Sequence, residues 1–322
     1  MAKRSSIALV ATGVVLVLAG GLVKWVAAPA LVKVPLDVNT TTVAEGDIAL
    51  FVPALQTVKQ VPIVATRTVR GDKSAGTGST AVYDETLCLV ARGTATDALG
   101  CAPATDPGFV EKSTDRIAFD RKTALPVSDG ARFKANVDGN AAIVHQGLDY
   151  TFPIDTKKKS YPFFNTVIGK AYPIQYQGSE KLRGLTVYRF QQTLPVSPIT
   201  IQKALPGSYV DITTVWVEPT TGVIVKGEDK VTEKITEKIT ANGVAVFAGT
   251  LTFNDKTVGE QVSYAKSQLN KVHILRWWIP LAALVVGLLL VAGGLMLGRR
   301  RTAPTIASSD EAIESQSVQT RI

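Results

Sequence analysis

The pattern of apolar and polar residues divides the chain into two apolar runs near its ends and a long mixed region between them. Residues 7–30 form the first run, in which Lys24 is the only charged residue. The second run, residues 277–297, is uncharged and opens with two tryptophans. About 20 apolar residues in a helix cross the hydrocarbon core of a bilayer. Each run therefore predicts a membrane-spanning helix, the first on condition that Lys24 extends its ammonium group to the interface.

Basic residues flank the two runs on their outer sides. Lys3 and Arg4 precede the first run, and residues 299–301, which follow the second, are all arginine. Such clusters favour the cytoplasmic side of a membrane. We therefore predict a plasma-membrane protein with both termini in the cytoplasm and its main domain outside.

Residues 28–30, Ala-Pro-Ala, also fit the small-x-small pattern that a signal peptidase cleaves. The first run is longer than the roughly 7 to 15 apolar residues of a usual signal peptide. We therefore favour a retained anchor, and cleavage before Leu31 is the alternative. In both cases the middle of the chain is exported.

The exported region contains short segments of the kind that form β-strands. They are rich in β-branched and aromatic residues and are bounded by Gly, Asp or Pro. The predicted strands include residues 62–70, 79–83, 115–119, 141–145 and 185–191. Another pair within residues 211–228 flanks the sequence Pro-Thr-Thr-Gly at 219–222, which predicts a hairpin.

Residues 231–240 fit two different periods. Valine and isoleucine recur at every fourth position, which would place them on one face of a helix. A period of two instead puts Val, Glu and Ile on one side of a strand and Thr and Lys on the other. Asn-Gly follows at 242–243, before the β-rich residues 244–253, and this dipeptide between such runs favours a tight turn. We therefore predict a long hairpin.

A helical period begins after Asn254, a residue suited to capping a helix. Apolar residues then recur at intervals of three and four, at Val258, Val262, Ala265, Leu269 and Val272. Neither Gly nor Pro interrupts the sequence between Val262 and Trp278, so we predict one helix that continues into the second span and ties the exported domain to the bilayer.

The predicted fold is a membrane-anchored, β-rich α+β protein. An antiparallel exported domain, either barrel-like or enclosing a cavity, lies between two transmembrane helices. The segments are a cytoplasmic N-terminus (1–6), a first span or signal anchor (7–30), the exported β-rich domain (31–253), an amphipathic helix (254–276), a second span (277–297) and a disordered cytoplasmic tail (298–322).

The charge distribution argues against nucleic-acid binding. The 322 residues have a formal net charge of +8 and a mean hydropathy of +0.17. Residues 31–276 hold 28 basic and 24 acidic residues, a net +4, and the short ends hold the other +4. A nucleic-acid-binding domain concentrates basic residues on one face. The excess charge is instead explained by membrane topology.

Cys88 and Cys101 are the only cysteines, and both lie in the exported region. In an oxidising compartment they are suited to a disulfide bond, which would contribute about 3 kcal/mol in the chain-entropy model. Two free thiols are the alternative, because pairing cannot be deduced from sequence. No histidine or further cysteine lies near them at zinc-ligand spacing, and we expect no metal site.

The sequence contains no motif that predicts catalysis. Nucleophile-elbow, phosphate-loop and dinucleotide-binding glycine patterns are absent from it. We expect the two histidines, His145 and His273, to be structural. Carboxylates that could pair as acid and base are Asp115 with Asp120, Glu228 with Asp229, and Glu233 with Glu237. Because basic residues are interleaved with them, we favour solvated ion pairs and predict no enzymatic activity and no cofactor.

Residues 150–178 form the segment richest in aromatic side chains, interleaved with proline and with the lysines at 157–159. Aromatic faces near cations suit sugar rings, acyl chains or anionic headgroups. The candidate ligand-binding residues are Lys157, Lys158, Lys159, Tyr161, Phe163, Phe164, Tyr172 and Tyr176. The alternative is that these aromatic residues, with Phe152, form part of the core and that the lysines occupy a solvated turn.

Five segments resemble the actinobacterial porin PorA-like family, a group of two-span envelope proteins that includes a polar growth factor. They are VPLDVNTTTV (34–43), DRIAFDR (115–121), FPIDTKKKSYP (152–162), GKAY (169–172) and VWVEPTTGVIVKGE (215–228). The resemblance implies a cell-envelope role in trafficking or assembling glycolipids and lipoglycans, such as trehalose mycolates and lipoarabinomannan, together with large lipid exporters. It supplies no catalytic residues.

These observations lead to a first hypothesis of a non-enzymatic envelope protein whose exported domain binds a membrane lipid or glycolipid. Its partners would be a lipid exporter or envelope-synthesis proteins. The second hypothesis is a structural scaffold that recruits envelope-synthesis or polar-growth proteins. A porin-like or enzymatic role in the envelope is the third.

Overall fold

The computed structural model describes residues 2–52, 57–128, 133–201, 205–235 and 244–299, with side chains from Ser5 onward. They form two compact units. One unit comprises Met1–Ala28 with Leu275–Ile322, and the other is Pro29–Ile274. The predicted turn at 242–243, the tail from residue 300 and the side chains of Lys3 and Arg4 lie outside the described part of the chain.

Helices occupy the two ends of the described chain. Helix α1 (Ala2–Leu22) continues through a π-helical turn (Val23–Ala27) into the short helix α2 (Ala28–Leu31). Helix α3 (Asp255–His273) continues through a second π-helical turn (Ile274–Trp278) into helix α4 (Ile279–Arg299). Both helical regions contain a stretch long and apolar enough to span a membrane. The helical segments from Asp255 to Arg299 follow one another without a break, as the absence of a helix breaker before Trp278 predicts.

Small residues allow α1 and α4 to pack closely in the helical unit. A Cβ atom on Gly13 would lie 2.5 Å from the carbonyl oxygen of Gly287, and one on Gly294 would lie 2.7 Å from the side chain of Val10. Such close backbone approach is typical of membrane helix pairs with glycine at the interface. At one end of this pair the Lys24 ammonium lies 4.5 Å from the ring centroid of Trp277.

Twelve strands are present in the described part of the second unit. They are β1 (Asn39–Val52), β2 (Thr57–Gly71), β3 (Thr80–Ala91), β4 (Phe109–Asp120), β5 (Asn136–Val137), β6 (Tyr161–Asn165), β7 (Lys170–Leu182), β8 (Leu185–Thr193), β9 (Ser197–Ile201), β10 (Leu205–Val217), β11 (Ile224–Ile235) and β12 (Val244–Phe253).

The strands form one antiparallel sheet that curls into a half-barrel. Their order is β5-β4-β3-β2-β1-β12-β11-β10-β8-β7-β6, and β9 pairs with β10. The first of the described strands therefore pairs with the last of them, in a register that joins Ile48 to Gly249. The antiparallel, barrel-like form of the fold prediction is confirmed.

Alternation along the strands assigns residues to the two faces of the sheet. The main core cluster joins strands from both ends of the strand order, including Tyr83 of β3, Ile117 of β4, Ile174 of β7 and Phe190 of β8. On a flat sheet β3 and β8 would be six spacings apart, or roughly 29 Å. The face that carries these residues is therefore the concave face.

Residues 145–156, which we call the crossing segment, link the two edges of the curled sheet. Leu148 accepts a backbone hydrogen bond from Phe164 of β6 at 2.8 Å and donates one to Pro162 at 2.7 Å. Further along, the Phe152 amide donates to Gly222 in the β10–β11 turn at 2.9 Å. Gly222 has a φ of +77° and lies against the backbone of Phe152, where a side chain would not fit.

Helix α3 packs against the strand domain through its predicted apolar positions. Asn254 caps the helix, its side chain accepting from the Thr257 amide at 2.9 Å. Val258, Val262 and Ala265 are buried against a cluster that includes Trp216 of β10. The predicted cap and the predicted helical face are both confirmed.

Most predicted strands are confirmed, and one is wrong. The segments at 62–70, 79–83, 115–119 and 185–191 fall within or largely within β2, β3, β4 and β8, and β10 and β11 form the predicted hairpin. Residues 231–235 are strand rather than helix. Residues 141–145, however, follow a turn at Gly139 and are not a strand, because His145 turns inward to bind Asp115.

The disulfide prediction is also confirmed. Cys88 of β3 and Cys101 in the following loop are bonded, with their Cα atoms 5.1 Å apart, and both are buried. The loop that they close packs against the outer face of β2, where Gly100 contacts the side chain of Thr66.

Candidate functional site

The predicted ligand-binding residues fall into a buried group and an exposed group. Tyr161, Phe163 and Phe164 are buried, and the first two belong to the main core cluster. Phe152 is completely buried, with its ring centroid 4.7 Å from that of Phe190. Tyr172 and Tyr176 are half-buried, whereas Lys157, Lys158 and Lys159 are exposed.

Two of the exposed lysines lie over aromatic rings. The Lys158 ammonium is 5.9 Å from the ring centroid of Tyr176 and 5.3 Å from that of Tyr188. The Lys159 ammonium is 5.2 Å from the ring centroid of Tyr161. These are cation–π distances. The sequence prediction missed Tyr188, although the alternation along strand β8 could have indicated it. Tyr188 lies opposite Val217 of β10.

A group of charged side chains lies on the concave face, and we call it the polar belt. Its members are Arg67 of β2, Glu85 of β3, Asp115 of β4, Asp149 of the crossing segment and Asp229 of β11. The strand residues among them occupy inward positions. Glu85, for example, lies between the inward residues Tyr83 and Leu87.

Arg67 is the basic residue of the belt. Its Nε lies 3.5 Å from Glu85 Oε2, and the Glu85 side chain is only 6% exposed. The field of Glu85 is the largest cause of a raised pKa for the Arg67 guanidinium, and Asp229 adds to it. On a flat sheet β2 and β11 would lie three spacings apart, roughly 14 Å, so this coupling follows from the curl.

Asp115 is the most highly connected carboxylate of the belt. A hydrogen bond of 2.8 Å joins His145 Nε2 to its Oδ1, and the Tyr150 hydroxyl donates to its Oδ2 at 2.6 Å. The His145 side chain is 2% exposed, and its ring lies 4.7 Å from that of Phe164. This arrangement holds the crossing segment against β4.

Asp149 completes a cluster that could hold a metal ion. One donor atom from each of Asp115, His145 and Asp149 lies within 4.8 Å of the others. Burial, followed by the fields of Asp115 and Glu85, raises the pKa of Asp149 well above its usual range. Asp149 Oδ2 and His145 Nδ1 are buried without a hydrogen-bond partner among the described residues.

Two further carboxylates face each other near one end of the concave face. Glu233 of β11 lies opposite Phe247, and Glu111 of β4 lies opposite Leu89. Burial, with a smaller contribution from Glu111, raises the pKa of Glu233 to about 7. These two strands are five positions apart in the sheet order, so the curl is what brings the two carboxylates together.

Apolar side chains lie beside the charged groups on the same face. Ile48, Ile63 and Leu251 form a buried cluster with Ala65 and Leu89. The half-buried side chains that extend this cluster are Ala44, Val61, Leu87, Val110 and Phe247. We call the whole set the apolar strip. The concave face therefore offers an apolar surface next to hydrogen-bonding groups.

Of the three predicted carboxylate pairs, two are separated by the fold and one falls partly outside the described residues. Asp115 points into the concave face, whereas Asp120 accepts from backbone amides of the next turn, including that of Thr123 at 2.8 Å. Glu228 and Asp229 alternate to opposite faces. Glu237 lies outside the described chain. Asp115 is buried rather than solvated, which the interleaved charges did not indicate.

Together, the fold and the sequence define a membrane protein in which two long apolar helices flank a curled antiparallel domain. The family model described as Porin PorA matches residues 5–296. The chain belongs to this family, and the resemblance noted in its sequence is confirmed.

Two corynebacterial relatives show how far the similarity extends. A protein named Porin PorA from Corynebacterium resistens is 39% identical over 106 residues, covering 30% of this chain and 25% of that protein. Another of the same name from Corynebacterium amycolatum is 26% identical over 163 residues, covering 36% of this chain and 42% of that protein. The matched segments thus span less than half of either relative.

Proposed function

We propose that the exported domain binds a lipid or glycolipid on its concave face and holds it near the plasma membrane for a lipid exporter or an envelope-synthesis protein. The observation that carries this proposal is the pairing of the apolar strip with charged hydrogen-bonding residues on one curled surface. An amphipathic ligand needs both kinds of contact. In this topology both termini are cytoplasmic, as the positive-inside rule favours.

The charges on the concave face favour a sugar headgroup over an anionic one. Glu111, Asp229 and Glu233 are carboxylates, and Arg67 is already paired with Glu85. Carboxylates repel an anion but accept hydrogen bonds from hydroxyl groups. This moves the proposed headgroup site from the lysines at 157–159 to the concave face, with trehalose glycolipids as the ligand class to test first.

The relatives' name suggests a pore, and the outer face of the sheet argues against a lipid-exposed barrel. On β11 the outward positions are Glu228, Lys230, Thr232 and Lys234, which alternate with the inward Asp229 and Glu233. A membrane barrel places apolar residues on its outer face. The outer face of this strand therefore suits water, and the helices suit the bilayer.

Photo-crosslinking would test the proposal directly. The full-length protein in detergent would be exposed to a trehalose glycolipid that carries a diazirine on its acyl chain, and labelled peptides would be identified by mass spectrometry. We expect labelling on strands β1–β3 near the apolar strip. Leu87→Gln places a polar group in the strip and should lower labelling by about tenfold, the effect of losing one buried aliphatic side chain.

Thr86→Gln is the matched control, because Thr86 is the neighbouring residue on the opposite face of β3 and should leave labelling unchanged. Organic extraction of the purified protein provides a second measurement. If extraction yields no lipid and the probe labels none of strands β1–β3, the proposal is wrong. Crosslinking in cells that captures proteins but never lipid would support the scaffold hypothesis instead.

A further inference from the structure

The cluster of Asp115, His145 and Asp149 has the composition and spacing of a metal site. Zinc holds nitrogen and oxygen ligands at about 2.0 to 2.2 Å, so its ligand atoms lie roughly 3 to 4 Å from one another. The three donor atoms of the cluster lie within 4.8 Å of one another. This spacing is close to the range that one shared zinc ion requires.

Unpartnered buried atoms give an independent reason to expect a ligand there. Buried polar atoms almost always have a hydrogen-bond partner. In the described chain, Asp149 Oδ2 and His145 Nδ1 have none, although the His145 side chain is 98% buried. The nearby guanidinium of Arg67 is engaged by Glu85. The cluster therefore combines two adjacent carboxylates with buried atoms that have no hydrogen-bond partner among the described residues.

The surroundings are those of a site that positions its ligands. The Tyr150 hydroxyl donates to the second oxygen of Asp115 at 2.6 Å, and Phe164 fixes the ring of His145. Partners of this kind orient metal ligands in known sites. Asp149 is half-buried, so an ion could enter from the concave face.

We propose that Asp115, His145 and Asp149 bind one divalent transition-metal ion, with Zn²⁺ as the first candidate. An imidazole with two carboxylates suits zinc better than calcium or magnesium, which prefer oxygen ligands alone. The ion would fasten the crossing segment to β4 and so close one side of the half-barrel. Sequence spacing could not indicate this site, because His145 follows Asp115 by 30 residues.

Metal analysis of the full-length protein tests this proposal. The chain in detergent, with its affinity tag removed, would be treated with a chelator, loaded with ZnCl₂, washed and analysed by mass spectrometry for metals. We expect one zinc per chain and a higher Tm for the loaded protein. Asp149→Asn and His145→Gln should each weaken zinc binding by at least about tenfold.

Glu111→Gln is the matched control, because Glu111 is an inward carboxylate of the same strand outside the cluster and its removal should leave zinc binding unchanged. Co²⁺ loaded into the unaltered chain gives a readout that does not depend on how the variants fold. Visible d–d absorption of a low-symmetry site would support the proposal. The proposal would be overturned if the unaltered chain retained no more zinc than Asp149→Asn, showed no increase in Tm and gave no cobalt spectrum.

Discussion

A single substitution in the carboxylate pair Glu111 and Glu233 tests whether the sheet is curled. Glu111→Gln removes one charge and keeps the side-chain shape. If the sheet is curled as described, the pKa of Glu233, raised to about 7 by burial and by Glu111, should fall. The direction follows because a neighbouring negative charge disfavours ionisation of a second carboxyl group.

The expected size of the change depends on the distance between the two strands. On a flat sheet five strand spacings separate them by roughly 24 Å, where the interaction in water is about 0.2 kcal/mol and salt reduces it further. Within about one Debye length, or 10 Å at 0.1 M salt, the interaction is roughly 0.4 to 2 kcal/mol. The pKa of Glu233 should therefore fall by roughly 0.3 to 1.5 pH units.

The assay is a pH titration of the ¹³C-labelled glutamate carboxyl carbons by NMR, on the full-length protein in detergent at low salt. Glu228→Gln serves as the control. Glu228 lies on the same strand as Glu233 but on the outer face, so its removal should have little effect. A Glu233 pKa that does not respond to Glu111→Gln, or that responds equally to Glu228→Gln, would refute the curled arrangement.

Two further predictions concern the pH dependence of stability and the packing of the helices. Burial, together with the charge of Asp229, raises the pKa of Asp211 from 3.8 to about 7. The folded state therefore binds its proton more tightly, and stability falls as pH rises between these values, by at most about 4 kcal/mol. Asp211→Asn should flatten the fall in Tm between about pH 4 and pH 7, whereas an unchanged slope would contradict this assignment. In the helical unit, a Cβ on Gly298 would lie 4.0 Å from Ser6 Oγ, so cysteines at these two positions should form a disulfide. Gly287→Leu should lower the yield of this disulfide severalfold, because α1 and α4 can no longer approach closely. Gly293→Leu should leave the yield unchanged, because residue 293 has open space around it. Equal yields in the two variants would argue against the glycine interface.

The sequence was most informative where a period persisted over many residues. The alternation in β2, β4 and β8, and the three-four spacing in α3, were sufficient to predict those elements because each buries one face along its whole length. Strands β1, β6 and β7 were not predicted. In β1 the polar threonines and Glu45 interrupt the apolar residues, and in β7 proline and glutamine do so.

The candidate site was less accessible to sequence reasoning. Glu85 was detectable in principle, because a charged residue at an inward position between Tyr83 and Leu87 breaks the pattern of its strand. Asp149 was not, because the crossing segment has no period and its partners come from strands distant in sequence. The wrong strand at 141–145 has the same origin, since apolar composition alone cannot distinguish a strand from an irregular segment that packs inward.

The pairing of β1 with β12 also determines the order in which the sheet can be completed. The register joins Ile48 to Gly249, so β1, the first described strand to be synthesised, cannot pair on this side until β12 has been synthesised. Until then β1 exposes an open edge on the side away from β2, and such an edge is a template for pairing with other chains. Contacts so distant in sequence also slow folding. While the chain folds, this edge therefore needs protection until β12 has formed.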